Sequence, residues 1–142
     1  MKKFRHWWVI AAAIGIAAAS GSRGDEEIDI VPAQNAAQAW LATVDAGKYG
    51  QSWDDASEFF HEFVSRETWV TSVGAARGLV GTAIARKLRS ATYTRVLPAA
   101  PPGEYVVIQY DTRFDNKPIS VETITPMREK DGTWKVSGYL IR

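Results

Sequence analysis

Two carboxylates and a phenol are the groups in this chain best spaced for chemistry. Asp111 and Glu122 fall in strand-like stretches of the C-terminal segment Gly103 to Arg142, and Tyr139 follows near its end. If the turns at Asn116-Lys117 and Asp131-Gly132 are two-residue loops, Asp111 faces Glu122 across neighbouring strands, with Tyr139 on the same surface. Two carboxylates that close cannot both ionise freely, which is the arrangement general acid–base work requires. Glu122 and Asp111 are therefore the candidate catalytic residues. The competing reading is architectural. An arginine, Arg113, Arg86 or Arg77, reaches across and pairs with them, since ion-pair networks arise away from active sites as well. Glu122 lies between Val121 and Thr123, where a strand carboxylate needs water or a partner, so a pair with Arg113 or Arg86 is expected.

Other chemistries are excluded by residue type. The chain has no cysteine, which removes thiol catalysis, disulfides and a cysteine-linked lipid. Zinc and iron sites need two or more His or Cys ligands, and beyond the N-terminal stretch only His61 remains. Beside Glu62 it reads as an exposed helix residue, so no metal and no cofactor are expected. No Gly-x-Ser-x-Gly elbow occurs, and Gly74, Gly78 and Gly81 fit neither phosphate-loop nor dinucleotide spacing. The aromatics Trp40, Trp53, Trp69, Trp134, Tyr49, Tyr110, Phe59 and Phe60 either line a pocket for an apolar ligand or fill a core. Tyr49, Trp53 and Arg77, near helix ends, and Tyr139 on the sheet are the candidate ligand-binding residues.

The elements that position these groups can be read from spacing. Asp131-Gly132 is a strong hairpin signal, because a type I′ turn needs positive φ at both central residues. With both loops two residues long, Phe114 faces Ile119 and Glu129 faces Trp134. One surface then collects Val106, Ile108, Tyr110, Phe114, Ile119, Val121, Met127, Trp134, Val136 and Leu140, a core face. The other carries Tyr105, Gln109, Asp111, Arg113, Ser120, Glu122, Arg128, Lys135, Ser137 and Tyr139, with Val107, Ile124 and Ile141 among them.

Upstream, three helices are expected. One starts at Pro32 and ends at Gly47, a second is capped by Ser52, and a third is capped by Ser65 and ended by Gly81. Ala91 to Leu97 has strand composition. Helices first and strands after give an α+β fold, three N-terminal helices packed on a curved four-stranded antiparallel sheet.

The N-terminus reads as an address. Lys2, Lys3 and Arg5 precede an apolar run from Trp7 to Ala19 that closes in small residues, the order of a secretory signal peptide. Residues 1–19 are assigned to that signal, 20–31 to a linker and 32–142 to a single domain. The apolar run is shorter than the ~20 residues of a spanning helix; an uncleaved anchor is the alternative. The expected location is periplasmic or secreted, with no stable membrane span after cleavage.

Cleavage would leave 142 − 19 = 123 residues and a charge of 14 − 16 = −2, so no nucleic-acid partner is expected. From Asp25 to Glu67 there are ten acidic and two basic residues, whereas Thr68 to Gly103 holds five basic residues and no acidic one. These two surfaces are expected to neutralise each other within the fold.

The pattern Trp40-x3-Val44-Asp45-x-Gly47-x-Tyr49-x2-Ser52-Trp53, then Trp69, Arg77, Gly81, Gly103-Glu104-Tyr105, Glu122-Thr123 and Asp131-Gly132-x-Trp134-x-Val136-x-Gly138-Tyr139 resembles a bacterial family of exported domains of unknown function. The resemblance covers about Gln34 to Arg142. It implies an architecture similar to the cone-shaped fold of the nuclear transport factor and ketosteroid isomerase group, a curved sheet wrapped on helices around a pocket. It brings no catalytic residues with it. Pro126 departs from an unhindered strand residue and predicts an interruption there.

The function expected is a non-enzymatic cell-envelope module that binds a small apolar or amphipathic ligand or a protein partner. The alternatives are a proton-transfer enzyme of isomerase or dehydratase type, and a structural module that forms a homodimer through the outer sheet face.

Overall fold

Proline inside the start and glycine past the end bracket the first helix. The computed structural model describes residues 27–142; the signal and most of the linker expected from the sequence lie outside the described residues. Helix α1, Val31–Asp45, has Pro32 in its first turn and buries Ala33, Ala37, Trp40, Leu41 and Val44 at helical spacing. Gly47 takes φ 75°, and the Lys48 amide returns to the Thr43 carbonyl at 3.1 Å. That left-handed residue closes the helix, as expected.

The expected second helix is two. Helix α2 spans Tyr49–Asp54 and helix α3 spans Glu58–Phe63. The break has a cause. Ser57 accepts a hydrogen bond from the Phe60 amide and so caps α3, while its own amide donates to the Val136 carbonyl at 2.9 Å. The chain leaves the helix to reach the sheet. Ser52 is no cap: it is buried inside α2, its carbonyl accepting from Trp40 Nε1 at 2.8 Å and its Oγ from Trp69 Nε1 at 2.9 Å. Helix α4, Arg66–Val80, is capped by Ser65 and stopped by Gly81 at φ 81°, both as expected.

The strands follow in order: β1 Ala83–Thr94, β2 Tyr105–Phe114, β3 Lys117–Arg128 and β4 Trp134–Ile141. They form one open antiparallel sheet in the order β1-β2-β3-β4. The first strand starts earlier than the expected Ala91. The α+β class and the four-stranded antiparallel sheet stand, with four helices in place of three. Helix α1 packs across β3 and β4 and reaches β2. Between the layers lies a core that includes Trp40, Leu41, Phe60, Trp69, Ile108 and Ile124. A smaller cluster of Leu97, Tyr105 and Met127 fills the other side of the sheet.

The expected register fails by one residue in the first hairpin, and the error inverts β3. Tyr110, not Asp111, stands opposite Glu122, and Phe114 pairs with Lys117 rather than Ile119. The turn is made by Asp115-Asn116, whose amides donate to the Thr82 and Val80 carbonyls at 2.9 Å each. A bulge then follows at Pro118-Ile119, where a proline cannot donate to the ladder. Glu122 and Ile124 consequently face the helices and are fully buried, whereas Ile119, expected in the core, is 89% exposed. Val121, also expected in the core, is only half-buried.

In the second hairpin Trp134 pairs with Arg128 rather than Glu129. The interruption expected at Pro126 is a bulge between Thr125 and Pro126, and beyond it the expected pairing returns, Ile124 opposite Tyr139. Val136 is buried as expected, but Ser137 and Tyr139 are buried too, and Trp134 and Leu140 are only partly so.

Candidate functional site

An acidic residue at the C-terminal end of a helix is badly placed, since the macrodipole there is negative. Asp45, the last residue of α1, meets that penalty with two guanidiniums. Arg77 Nη2 of α4 donates to its Oδ1 at 2.8 Å, and Arg86 of β1 donates through Nη1 and Nη2 at 2.6 and 2.9 Å. Burial would raise the Asp45 pKa, but the hydrogen bonds and charges of Arg86, then of Arg77, outweigh it and hold it below the ordinary carboxylate value.

Arg86 continues into the sheet. Its Nε donates to Glu122 Oε1 at 2.5 Å and its Nη2 to Oε2 at 3.2 Å. Thr112 Oγ1 of β2 adds a hydrogen bond to Oε1 at 2.6 Å, and the Tyr139 hydroxyl of β4 donates to Oε2. Four donor contacts thus converge on one fully buried carboxylate. The result is a ladder, Arg77–Asp45–Arg86–Glu122, with equal numbers of charges of each sign. Burial acts on Arg86 and Tyr139 in opposite directions, because it penalises whichever form is charged. It works against Arg86, whose pKa is nonetheless raised by Asp45 and Glu122, and it raises the phenol of Tyr139 well above its usual value, with the Glu122 charge adding to it. Arg77 is buried over the Phe114 ring, 5.1 Å from its centroid, and its Nε and Nη1 have no hydrogen-bond partner among the described residues.

The residues singled out from the sequence divide. Arg77 and Tyr139 enter this network. Asp111 does not: it sits exposed on the opposite face, 3.6 Å from Arg89, so the carboxylate pair with Glu122 is not formed. Tyr49 lies against Gly74 of α4. The Trp53 indole donates to the Val64 carbonyl at 2.8 Å and stacks on His61 at 4.0 Å between centroids. His61 is therefore half-buried, not an exposed surface residue. Arg86 is the arginine that takes Glu122; Arg113 is exposed. The sequence reading missed Asp45 and Thr112. Asp45 carried a signal, a carboxylate directly before the helix-ending Ala46-Gly47.

Two surface grooves flank the domain. One, of about 360 Å³, runs between α1, α2 and β4 and is lined by Trp40, Asp54, Asp55, Trp134 and Lys135 among others. The second, of about 440 Å³, lies on the outer face where β1, β2 and β3 meet the Pro118-Ile119 bulge. None of Tyr49, Trp53, Arg77 and Tyr139 lines either one. Among the described residues no cluster of three or more potential metal ligands occurs, and no helix is long and apolar enough to cross a membrane.

Helices on one face of an open antiparallel meander, locked by a buried ionic ladder, define an α+β domain. The chain belongs to the family described as protein of unknown function (DUF4019), whose model matches residues 36–139. No curated protein matched the chain. A solved structure from Catenulispora acidiphila is similar at 10% identity with a TM-score of 0.50, covering 77% of this chain and 86% of that one. That likeness is one of fold alone. Of the residues that carry the family pattern, Asp45, Arg77, Glu122 and Tyr139 meet in the ladder, while Trp40, Ser52 and Trp69 form the indole–serine clasp beside it.

Proposed function

We propose that the chain is an exported, non-enzymatic binding domain of the cell envelope whose partner is a protein. The observation that carries this reading is the saturation of Glu122. Its two oxygens accept from Arg86, Thr112 and Tyr139, which leaves the best-placed carboxylate fixed as an acceptor rather than poised to move a proton. Asp111, the other candidate, is on the opposite face. The sheet also keeps one long edge, β1, whose only substantial neighbour among the described residues is β2, and an open edge is the usual place for a protein to add a strand. Export is supported by the charge, apolar and small-residue order of residues 1–19.

Glu122→Gln tests the architectural reading. Removing one member of a buried pair costs about 3–5 kcal/mol, so denaturant unfolding should show a clear loss of stability. A variant as stable as the parent would defeat this reading and return Glu122 to the proton-transfer rival. N-terminal sequencing of the exported protein should begin near Ser20; a chain recovered from membranes with Met1 intact would show an anchor instead.

A second reading has its own observation. The groove of about 360 Å³ beside Trp134 offers an indole wall with Asp55 at its rim, room for a small amphipathic ligand.

A further inference from the structure

The two edges of the sheet are treated differently. Strand β4 is met by the start of α3, where the Ser57 amide bonds the Val136 carbonyl and the Glu58 amide donates to Glu129 Oε1 at 3.1 Å. Strand β1 has no such cover among the described residues. On its inner row, Ile84 and Leu88 flank Arg86 and remain 51% and 48% exposed, because α1 and α4 do not extend over them. On its outer row and in the strand alongside stand Lys87, Arg89 and Arg113, all exposed. Among the described residues one carboxylate, Asp111, answers these three cations: it faces Lys87 in the register and lies 3.6 Å from Arg89. The groove of about 440 Å³ runs beside them, with Lys87 and Arg113 in its walls and Ile119 at its rim.

We propose that the β1 edge is a docking site for an extended acidic segment of a partner protein, one that alternates carboxylates with apolar side chains and adds as a fifth strand. Main-chain bonding along an open edge supplies affinity, and alternate side chains supply specificity. Carboxylates on one side of the incoming strand meet Lys87, Arg89 and Arg113. Apolar side chains on the other meet Ile84 and Leu88. A second copy is a poor occupant, since two antiparallel β1 strands would bring Lys87 and Arg89 of one copy against those of the other, and like charges directly opposite are destabilising. The inference rests on the protein-binding reading above and names its surface and partner chemistry.

The test uses the full chain and a synthetic peptide of alternating glutamate and valine, with a lysine–valine peptide and a peptide of the same composition with its glutamates in one block as controls. Hydrogen exchange should show new protection along Ala83–Thr94, and fluorescence anisotropy should show binding of the alternating acidic peptide alone. Reversing charge at Lys87→Glu with Arg113→Glu should weaken that binding at least about tenfold, and salt above about 0.5 M should weaken it too, since surface attraction is screened. Equal binding of the lysine–valine peptide, or protection confined to other strands, would overturn the proposal. So would protection, without peptide, of the β1 amides that point away from β2. Protection that grows with protein concentration would show a second copy on the edge, and concentration-independent protection would show the chain's own N-terminal residues there. Either result leaves the Glu122→Gln test of the architectural reading untouched.

Discussion

The two faces of the sheet use the same residue types to opposite ends. On the inner face Glu122 and Arg86 are joined at 2.5 Å with the carboxylate fully out of water. On the outer face Asp111 and Arg89 stand 3.6 Å apart with more than half of each side chain in solvent. Charges in a low-dielectric interior interact strongly but must first be stripped of water. Charges at the surface keep their water and gain little from each other. An ion pair therefore says nothing about stability until its face is known, and here the face is decided by a one-residue bulge.

The sharpest way to break the comparison is Glu122→Gln, expected to cost about 3–5 kcal/mol because Arg86, Thr112 and Tyr139 all lose a charged acceptor. Next in size is Tyr139→Phe. It removes a single donor to that carboxylate, and hydrogen bonds to charged groups are worth about 1.5–3 kcal/mol. Urea unfolding of both variants should give that order; a near-zero loss in Tyr139→Phe would mean that the side chain packs through its ring rather than donates.

Much of this was legible in residue order. Gly47 and Gly81 end helices and Ser65 begins one because caps are local chemistry, readable within a few residues. The second hairpin was legible only in place: Glu129 pairs with Thr133 around a three-residue loop in which Gly132 but not Asp131 takes positive φ, and the expected pairing of Ile124 with Tyr139 returns only because the bulge at Pro126 offsets that turn. The first hairpin was not legible, because its turn is fixed from outside. The Val80 and Thr82 carbonyls, more than thirty residues away in sequence, hold Asp115 and Asn116 and so move the loop by one position. The one-residue bulge that follows at Pro118-Ile119 then carried Glu122 from the expected solvent face to the interior. It also separated Glu122 from Asp111, so the candidate catalytic pair was an artefact of register, whereas the expected arginine partner survived because Arg86 shares the inner row. Asp45 lies in α1, far from Glu122 in sequence, and no pattern within the strands could have linked them.

Acid provides a third probe of the inner face. Asp45 has a folded-state pKa held below its unfolded value by Arg86 and Arg77 acting against burial. Such a group adds stability that is present above the unfolded value of about 3.9 and is lost as pH falls through the folded value. Unfolding free energy should therefore decline below about pH 4, and the decline should shrink in Asp45→Asn. An unchanged acid limb in that variant would place the acid sensitivity in other carboxylates.

The smallest effect is expected on the outer face, and it is the control that gives the others meaning. Asp111→Asn removes the carboxylate that, among the described residues, faces Lys87 and lies near Arg89, yet both partners stay solvated. The lost attraction should amount to about 0–1 kcal/mol, and because the pair is exposed it should fade as salt rises from about 0.05 to 0.5 M. Urea unfolding at those two salt levels checks both points. A salt-insensitive loss of the size seen for Glu122→Gln would mean that Asp111 is covered in solution, and with it the face that β1 presents. A near-zero loss, with Glu122→Gln still costly, ties the energy of this domain's ion pairs to the inner row and leaves Lys87, Arg89 and Arg113 with charge the fold does not use.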